Sequence, residues 1–338
     1  MAKKQGKYTK KLTSAPSVLG FAALGSKKES EGPMADYIDI LNHDSMFGQA
    51  TWEKAESRMQ QNVSEKAMEK SGLSPDEIDY VLAGDLLSQC IGSNYGLREL
   101  GVPQIGLYSA CATMAQGIGL SAMLVEGGLA DRAMAITSSH FCSAEKQFRF
   151  PLEYGGQRTP NSQWTATAAG AVIIGASSMP PYIRAVTIGT IVDKGITDVN
   201  NMGAAMAPAA AQTIQRYFND TLTGPDNYDL ILTGDLGFVG SALLLQLMER
   251  EGYKMKPKHA DCGLMIYDRE SQDVDAGGSG CGCSASVLCS YIMQSMRAGK
   301  INDLLFVATG ALMSTVSVQQ GESIPAIAHL VYLSTKAN

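Results

Sequence analysis

Cys111 is the residue whose setting best suits chemistry. It follows a short apolar strand predicted at 104–107 and opens a helix of small residues that runs to about Val125. A thiol at this point meets the positive end of the helix dipole and unpaired backbone N–H groups, which favour the thiolate and lower its pKa. The same N–H groups bind anions, and the small side chain of Ala112 lets a ligand approach the backbone. The residues alone leave two interpretations open, a functional thiol and a small buried thiol packed under a helix start.

A thiolate that acts as a nucleophile needs a general base and an oxyanion site. The chain has four histidines, at positions 43, 140, 259 and 329. His140 follows a strand predicted at 133–137, and strand ends of parallel sheets commonly face the site. We therefore expect His140 either to reach the pocket or to fix the loop that follows it. His329 lies in a closing strand pattern, where a histidine usually belongs to the core or the edge.

The chain repeats itself, and the repeat indicates which residues should face Cys111. Residues 79–86 read DYVLAGDL and residues 229–236 read DLILTGDL, each an apolar run that ends in Gly-Asp after a helical pattern. A second correspondence links 126–137 with 297–308, and in both cases a helix that opens at a cysteine, Cys111 or Cys281, precedes it. The order helix, strand, helix, strand, given twice, predicts an α/β protein with parallel sheets and right-handed crossovers.

By this repeat, partners for Cys111 should come from three loops of the second half. These loops hold Asp235, Cys281 with Cys283, and Thr309, and none of them contains a histidine. The Gly-rich segment 277–282 lacks the lysine of a Walker motif and the spacing of a dinucleotide fingerprint. We interpret it as a tight strand-to-helix turn that lets the backbone approach a ligand.

The predicted organisation is an N-terminal arm at 1–34, a first half at 35–180 and a second half at 181–338. An insertion at about 141–163, rich in aromatic residues and glycine, interrupts the first half. A long loop of this kind often covers a site. We interpret the arm as a solvated tail, and the alternative is contact with an anionic membrane or an acidic partner through its lysines. The lysines of the arm are Lys3, Lys4, Lys7, Lys10 and Lys11.

Composition excludes several classes of function. The net charge is −6 and no basic stripe interleaved with aromatic residues occurs, so we expect no nucleic acid partner. No apolar run approaches the roughly 18 residues that span a bilayer, and the start lacks the apolar core of a signal peptide. We therefore expect a soluble, intracellular protein. The seven cysteines are irregularly spaced, which predicts free thiols. The segment His259-Ala260-Asp261-Cys262 could ligate a metal, but a satisfied loop is the preferred interpretation, and we predict no metal site and no cofactor.

Six stretches of the chain, together with its two halves, resemble a known family. The repeated halves, the helix-opening cysteine and the Gly-rich turn are similar to the thiolase and ketoacyl-synthase superfamily. Within it, the chain from about Ser14 to Tyr332 resembles a family of stage V sporulation proteins. This resemblance implies a five-layer αβαβα sandwich built from two similar halves and, as is usual in the superfamily, a homodimer. The stretches are 28–33 (KESEGP), 83–87 (AGDLL), 148–157 (FRFPLEYGGQ), 194–198 (KGITD), 206–211 (MAPAAA) and 276–281 (AGGSGC).

In condensing enzymes of the superfamily, the cysteine attacks a thioester with help from a histidine and a second residue, asparagine or cysteine. Cys111 matches the nucleophile position, but Gly234-Asp235 stands where the resemblance places the first histidine, and 281–284 stands where it places the second residue. An unassisted cysteine forfeits most of the general-base contribution, on the order of 10²–10⁴-fold. We therefore predict a degenerate site in which Cys111 is a vestigial nucleophile. The rival hypothesis is a working acyltransferase that uses Cys111, and a third is a pure assembly subunit with a vestigial pocket.

The sporulation family is understood to bind dipicolinic acid (pyridine-2,6-dicarboxylate, with calcium) and to help move it into the developing spore. It works with membrane proteins of the same stage V sporulation A operon. The resemblance thus implies a small-dianion pocket, calcium only as part of the ligand, and a peripheral place at the forespore or spore inner membrane. The ligand carboxylates would meet N–H groups beside Cys111 and a cation such as Arg149, Arg158 or Lys194. The expected ligand-binding residues are Cys111, Ala112, His140, Arg149, Asp235, Cys281, Cys283 and Thr309.

Overall fold

The computed structural model describes residues 3–148 and 158–337. In this part of the chain the strands are β1 Lys3–Gln5, β2 Thr9–Lys11, β3 Ser17–Gly25, β4 Ile40–Leu41, β5 Tyr80–Gly84, β6 Gln104–Gly106, β7 Arg132–Ser139, β8 Trp164–Thr165, β9 Ala168–Gly175, β10 Tyr182–Thr187, β11 Leu230–Thr233, β12 His259–Asp261, β13 Gly278–Ser279, β14 Asp303–Ala311 and β15 Ala326–Ser334. The helices are α1 Lys27–Ser30, α2 Trp52–Ser71, α3 Ile91–Leu97, α4 Thr113–Glu126, α5 Phe141–Phe148, α6 Met202–Thr221, α7 Gly237–Arg250, α8 Cys262–Met265, α9 Cys281–Val287, α10 Met293–Arg297 and α11 Thr315–Gln319. A π-helical segment, Leu288–Ile292, joins α9 to α10.

Local sequence explains where the long helices begin and end. The Thr51 side chain accepts a hydrogen bond from the Lys54 N–H (3.3 Å) and so caps α2 at its start. Gly72 ends the helix with a φ of 67°, a conformation that glycine adopts without the steric penalty of a Cβ. Between these ends, buried apolar residues recur along one face of α2, which packs on the sheet of the first half.

Two mixed sheets with the same topology form the frame of the molecule. In the first, the strand order is β6-β5-β7-β9-β3, and in the second it is β12-β11-β14-β15-β10. In each sheet the fourth strand listed, β9 or β15, runs antiparallel to its neighbours. The sheets meet where β3 and β10 pair through Ser17 and Tyr182. The internal repeat of the sequence is therefore a structural repeat, and β5 and β11 are the strands of the two Gly-Asp segments.

Helices divide the molecule into five layers, as predicted. Helix α2 covers the outer face of the first sheet and α6 covers the outer face of the second, whereas α4 lies between the sheets and contacts both. Small residues make this central position possible. A Cβ added to Gly117 would lie 3.2 Å from the Ala135 Cβ of the first sheet, and one added to Gly119 would lie 2.7 Å from the Val186 Cγ1 of the second. Helix α9 lies beside α4 in this central layer.

The basic stretch near the N-terminus, which we interpreted as a solvated tail, forms strands in the described residues. Strands β1 and β2 form a hairpin, and β2 pairs with β10 through Lys11–Ala185 and Thr9–Thr187. Strand β3 lies inside the first sheet between β9 and β4, with most of its residues buried. The first half thus includes β3. The expected boundary between 180 and 181 falls between β9 and β10.

The insertion at about 141–163 begins as a helix rather than as an irregular loop. Helix α5 follows β7 directly, and Ala144 and Glu145 on its inner face are buried. Residues 158–163 lead to β8, which pairs with β13 in a separate two-stranded sheet. The middle of the insertion, which includes Arg149, lies outside the described residues.

Candidate functional site

Cys111 lies on a sharp turn between β6 and α4. Ala110 has a φ of 47°, a strained conformation for a residue with a side chain. The Thr113 hydroxyl holds the turn, because it donates to the Ala110 carbonyl (2.7 Å) and accepts from the Ser109 N–H (3.0 Å). Gly310 of β14 supports the turn from behind, since a Cβ there would lie 2.2 Å from the Ser109 carbonyl oxygen and 3.2 Å from the Cys111 nitrogen. The turn leaves the Cys111 residue 7% exposed.

The carboxyl group of Asp235, which follows β11 in the other half of the chain, lies beside the Cys111 thiol. Each of the two groups shifts the pKa of the other. The same carboxyl group accepts from the Thr309 hydroxyl (2.9 Å), the Gly280 N–H (2.9 Å) and the Ser279 hydroxyl (3.2 Å). Asp235 is completely buried, and burial raises its pKa although these donors partly offset the effect.

The expectation of a thiolate at Cys111 is wrong. Burial, followed by the charge of Asp235 and the neighbouring Cys281, raises the pKa of the Cys111 thiol well above its ordinary value. The helix N-terminus that the sequence indicates is present, but the N–H groups of Ala112 and Thr113 already bond to the carbonyls of Ser109 and Ala110. These effects favour the neutral thiol at Cys111.

None of the four histidines, all of which are described, hydrogen-bonds to Cys111. His140 is buried and pairs with the Ser45 carbonyl (2.8 Å), so it fixes the start of α5. His329 accepts from the Gly189 N–H (3.2 Å) and pairs with the Ser109 hydroxyl (3.2 Å). Burial lowers the pKa of His329 to about 4, so this ring is neutral at pH 7. It lies behind the turn of Cys111 and holds it in place.

Cys281 and Cys283, the two remaining cysteines of the expected site, lie in different surroundings. Cys281 packs against Ala110 and Cys111, and its thiol donates to the Ser138 carbonyl (2.9 Å). Cys283 faces the central apolar core, as does Ala112. The structure thus brings Cys111, Asp235, Cys281 and Thr309 together, whereas the side chains of Ala112, His140 and Cys283 serve the scaffold. Arg149 lies outside the described residues.

A second buried carboxylate cluster lies in the first half, at the position that the repeat relates to Asp235. Asp85 accepts from the Ser93 N–H (2.7 Å), the Ser93 hydroxyl and the Leu87 N–H (2.8 Å). Glu56 lies near it and accepts from the hydroxyls of Ser138 (3.0 Å) and Ser143 (2.9 Å). Burial, together with the charge of Asp85, raises the pKa of Glu56.

A small cavity at Cys111 adjoins a larger cleft. The inner one, of about 30 Å³, is lined by Cys111, Ala110, Thr165, Met202, Ala311 and Glu145, among others. The outer cleft, of about 590 Å³, carries Lys146 and Tyr108. Leu86, Phe148 and Met313 line both, so these three side chains separate the cleft from the thiol.

Sequence reasoning missed most of this lining. Leu86 belongs to the first repeated segment and Phe148 to a stretch that carries the family resemblance, so both were within reach of the sequence. Met202 and Met313 follow no pattern that would mark them. No group of three or more histidine, cysteine or acidic side chains in the described ranges is placed to hold a metal ion. Nor does any described helix combine the length and apolarity that a membrane span requires.

The fold and the cysteine turn define a thiolase-like protein, and solved structures agree. The fold is similar to 3-oxoacyl-[acyl-carrier-protein] synthase III from Aquifex aeolicus, with a TM-score of 0.56 and 12% identity over 95% of this chain and 100% of that chain. It is also similar to cerulenin-bound OleA from Xanthomonas campestris, with a TM-score of 0.60 and 12% identity over 98% of this chain and 99% of that one. At such identities the similarity shows the fold alone.

Sequence comparison identifies the family within this class. The model of the stage V sporulation protein AD family matches residues 6–334. The chain is 45% identical over 302 residues to stage V sporulation protein AD of Bacillus subtilis (strain 168), which covers 89% of each sequence. The chain therefore belongs to the stage V sporulation protein AD family.

Proposed function

We propose that this protein is a non-catalytic thiolase-fold protein of sporulation that binds dipicolinic acid in the cleft outside the Cys111 cavity and supports its uptake into the developing spore. The observation that carries the proposal is the group beside Cys111. A buried carboxyl group, Asp235, lies beside the thiol where the family resemblance places a histidine, and its charge raises the pKa of the thiol. A thiol with a raised pKa and no histidine hydrogen-bonded to it suits a binding site better than a reaction centre.

The outer cleft has the chemistry that a planar aromatic dianion needs. The inner cavity holds only a few water molecules, so the pyridine ring belongs in the cleft. There Leu86, Phe148 and Met313 supply apolar walls. Lys146 supplies a cation, and one carboxylate of the ligand would compete with Glu53, whose oxygen lies 3.3 Å from the Lys146 Nζ. Tyr108 also lines the cleft, and its hydroxyl is protonated at neutral pH and can donate to a carboxylate.

Three further parts of the proposal follow from the family resemblance. Calcium enters only as part of the ligand. The protein forms a homodimer, and the low share of charged residues, 18%, suits burial in an oligomer. It lies peripherally at the forespore or spore inner membrane, beside membrane proteins of the same operon.

Calorimetry with dipicolinic acid, with and without calcium, tests the proposal. Wild type should show saturable binding. Lys146→Gln should weaken it about ten-fold, because a partly exposed charge pair with the ligand is lost. Lys66→Gln on α2, which removes an exposed lysine paired with Glu69, is the matched control and should bind like wild type. Cys111→Trp should abolish binding, since its ring would fill the inner cavity and displace Leu86 or Phe148. No heat from wild type in either form of the ligand would refute the proposal.

Mass spectrometry separates the alternatives. Incubation with acyl-CoA should leave Cys111 unmodified, whereas a stable acyl adduct together with turnover would favour an acyltransferase. A pure assembly subunit would show neither dipicolinate binding nor acylation and would still co-purify with the membrane proteins.

A further inference from the structure

The N-terminal hairpin concentrates positive charge on an acidic protein. Residues 3–11 contain five lysines and no acidic residue, although the whole chain has a net charge of −6. Lys3, Lys4, Lys7 and Lys11 are exposed and Lys10 is half-buried. None of the five forms an ion pair with the residues that the structure describes. Their charge is therefore available to an external partner.

The hairpin is a fixed platform rather than a loose tail. Strand β2 is hydrogen-bonded both to β1 and to β10. The carboxylate of Asp220, at the end of α6, accepts from the backbone N–H groups of Lys7 (2.9 Å), Tyr8 (2.7 Å) and Thr9 (2.7 Å). The Arg216 guanidinium lies over the Tyr8 ring at 4.1 Å. Because Asp220 is engaged by backbone groups, it anchors the turn without pairing with the lysine ammonium groups.

An exposed leucine stands next to this platform. Leu222 is 92% exposed, and it ends α6 two residues after Asp220 with a φ of 55°. A single exposed leucine is ordinary on a protein surface. Here it lies two residues from Asp220, which holds the turn of the lysine-bearing hairpin. Basic residues near an exposed apolar side chain are the arrangement of peripheral membrane surfaces. We call Lys3, Lys4, Lys7, Lys10, Lys11 and Leu222 the basic hairpin surface.

We propose that the basic hairpin surface is the face through which this protein lies on an anionic lipid membrane. The lysines attract the anionic headgroups, and Leu222 enters the boundary between headgroups and acyl chains. The lysines lie on both strands and on the turn, which suits a fluid layer of headgroups better than one acidic peptide of fixed geometry. This inference deepens the peripheral membrane position included in the proposed function and rests on it, but it is independent of ligand binding.

Vesicle co-sedimentation of the full chain tests the inference. Wild type should bind phosphatidylcholine vesicles that contain phosphatidylglycerol, bind pure phosphatidylcholine vesicles much more weakly, and be released by high salt. Each lysine near the surface is worth about five-fold in affinity. The variant Lys3→Gln/Lys4→Gln/Lys7→Gln should therefore bind roughly 100-fold more weakly. Leu222→Ser should weaken binding several-fold without changing the dependence on salt.

A matched triple variant controls for total charge. Lys254→Gln/Lys256→Gln/Lys300→Gln removes three exposed lysines outside the hairpin and should change vesicle binding less than about three-fold. Equal losses in the two triple variants would overturn the inference. So would equal binding of wild type to neutral and anionic vesicles, or binding to an acidic polyglutamate peptide with none to anionic vesicles. Dipicolinate calorimetry on the hairpin variant should match wild type, which separates failure of this inference from failure of the ligand proposal.

Discussion

Removing the carboxyl group of Asp235 should destabilise the protein, because this group accepts hydrogen bonds from separate parts of the chain. In Asp235→Ala, the buried Gly280 N–H loses its acceptor, which costs about 1–3 kcal/mol. The hydroxyls of Thr309 and Ser279 can rotate towards other acceptors, so they add about 1 kcal/mol each. The substitution also removes the free-energy cost of burying a carboxyl group, which offsets part of the loss. We expect a net decrease of about 2–4 kcal/mol in the free energy of unfolding.

Asp229 provides the matched control for this experiment. Its carboxylate accepts from the Asn302 N–H (2.8 Å) and the Asp303 N–H (3.2 Å) near the surface, where water can replace it. Asp229→Ala should therefore cost less than about 1 kcal/mol. Urea unfolding followed by tryptophan fluorescence measures both variants. A cost below about 1 kcal/mol for Asp235→Ala, or equal costs for the two, would refute the reasoning.

Three further predictions concern the turn, the thiol and the buried acid. Gly310→Ala should weaken dipicolinate binding at least about ten-fold in calorimetry, because its Cβ would meet the Ser109 carbonyl at 2.2 Å. Gly106→Ala, whose Cβ meets nothing within 4 Å, should bind like wild type. Equal affinities in the two variants would contradict this prediction. At pH 8, Cys111 should react with iodoacetamide at least about ten-fold more slowly than the half-buried Cys142, because burial and Asp235 keep the Cys111 thiol protonated. Peptide mass spectrometry measures both rates, and rapid labelling of Cys111 would argue for a thiolate. Because the pKa of Glu56 is raised in the folded state, its contribution to stability is fully present below pH 4.5 and is lost as the pH rises through the folded pKa. Urea unfolding between pH 5 and 8 should therefore show the free energy of unfolding of Glu56→Gln rising relative to that of wild type by on the order of 1 kcal/mol per pH unit. A constant difference between the two would exclude a raised pKa.

The sequence predicted the parts of the fold that local pattern controls. The two segments ending in Gly-Asp became β5 and β11 because each apolar run is long enough for one buried strand and ends at a polar pair. Strand β3 was missed because a lysine-rich segment precedes it, and only pairing with β9 and β10 shows that this region belongs to the sheets. The lysines themselves are exposed, as their chemistry requires, but Asp220 fixes the backbone beneath them from about 210 residues away.

In the candidate site, too, the sequence predicted only what neighbouring residues determine. The turn at Cys111 and the start of its helix follow from neighbouring residues, and the sequence predicted them. The ionisation of the thiol could not be predicted in this way, because it depends on burial and on Asp235 and Cys281 from the other half. The helix dipole, which is all that a local reading of the sequence offers, is weaker than the desolvation of a buried charge.

The network around Asp235 also bears on how the two halves depend on each other. Asp85, its counterpart in the repeat, accepts hydrogen bonds from residues of its own half, whereas Asp235 also lies beside Cys111 of the other half. The Cys281 thiol of the second half donates to the Ser138 carbonyl of the first half, and the Thr137 hydroxyl of the first half donates to the Cys281 carbonyl (3.1 Å). Each half therefore satisfies some buried polar groups of the other. Fragments separated after residue 180 would lose these bonds, so the duplicated halves complement each other and are not interchangeable copies of one independent unit.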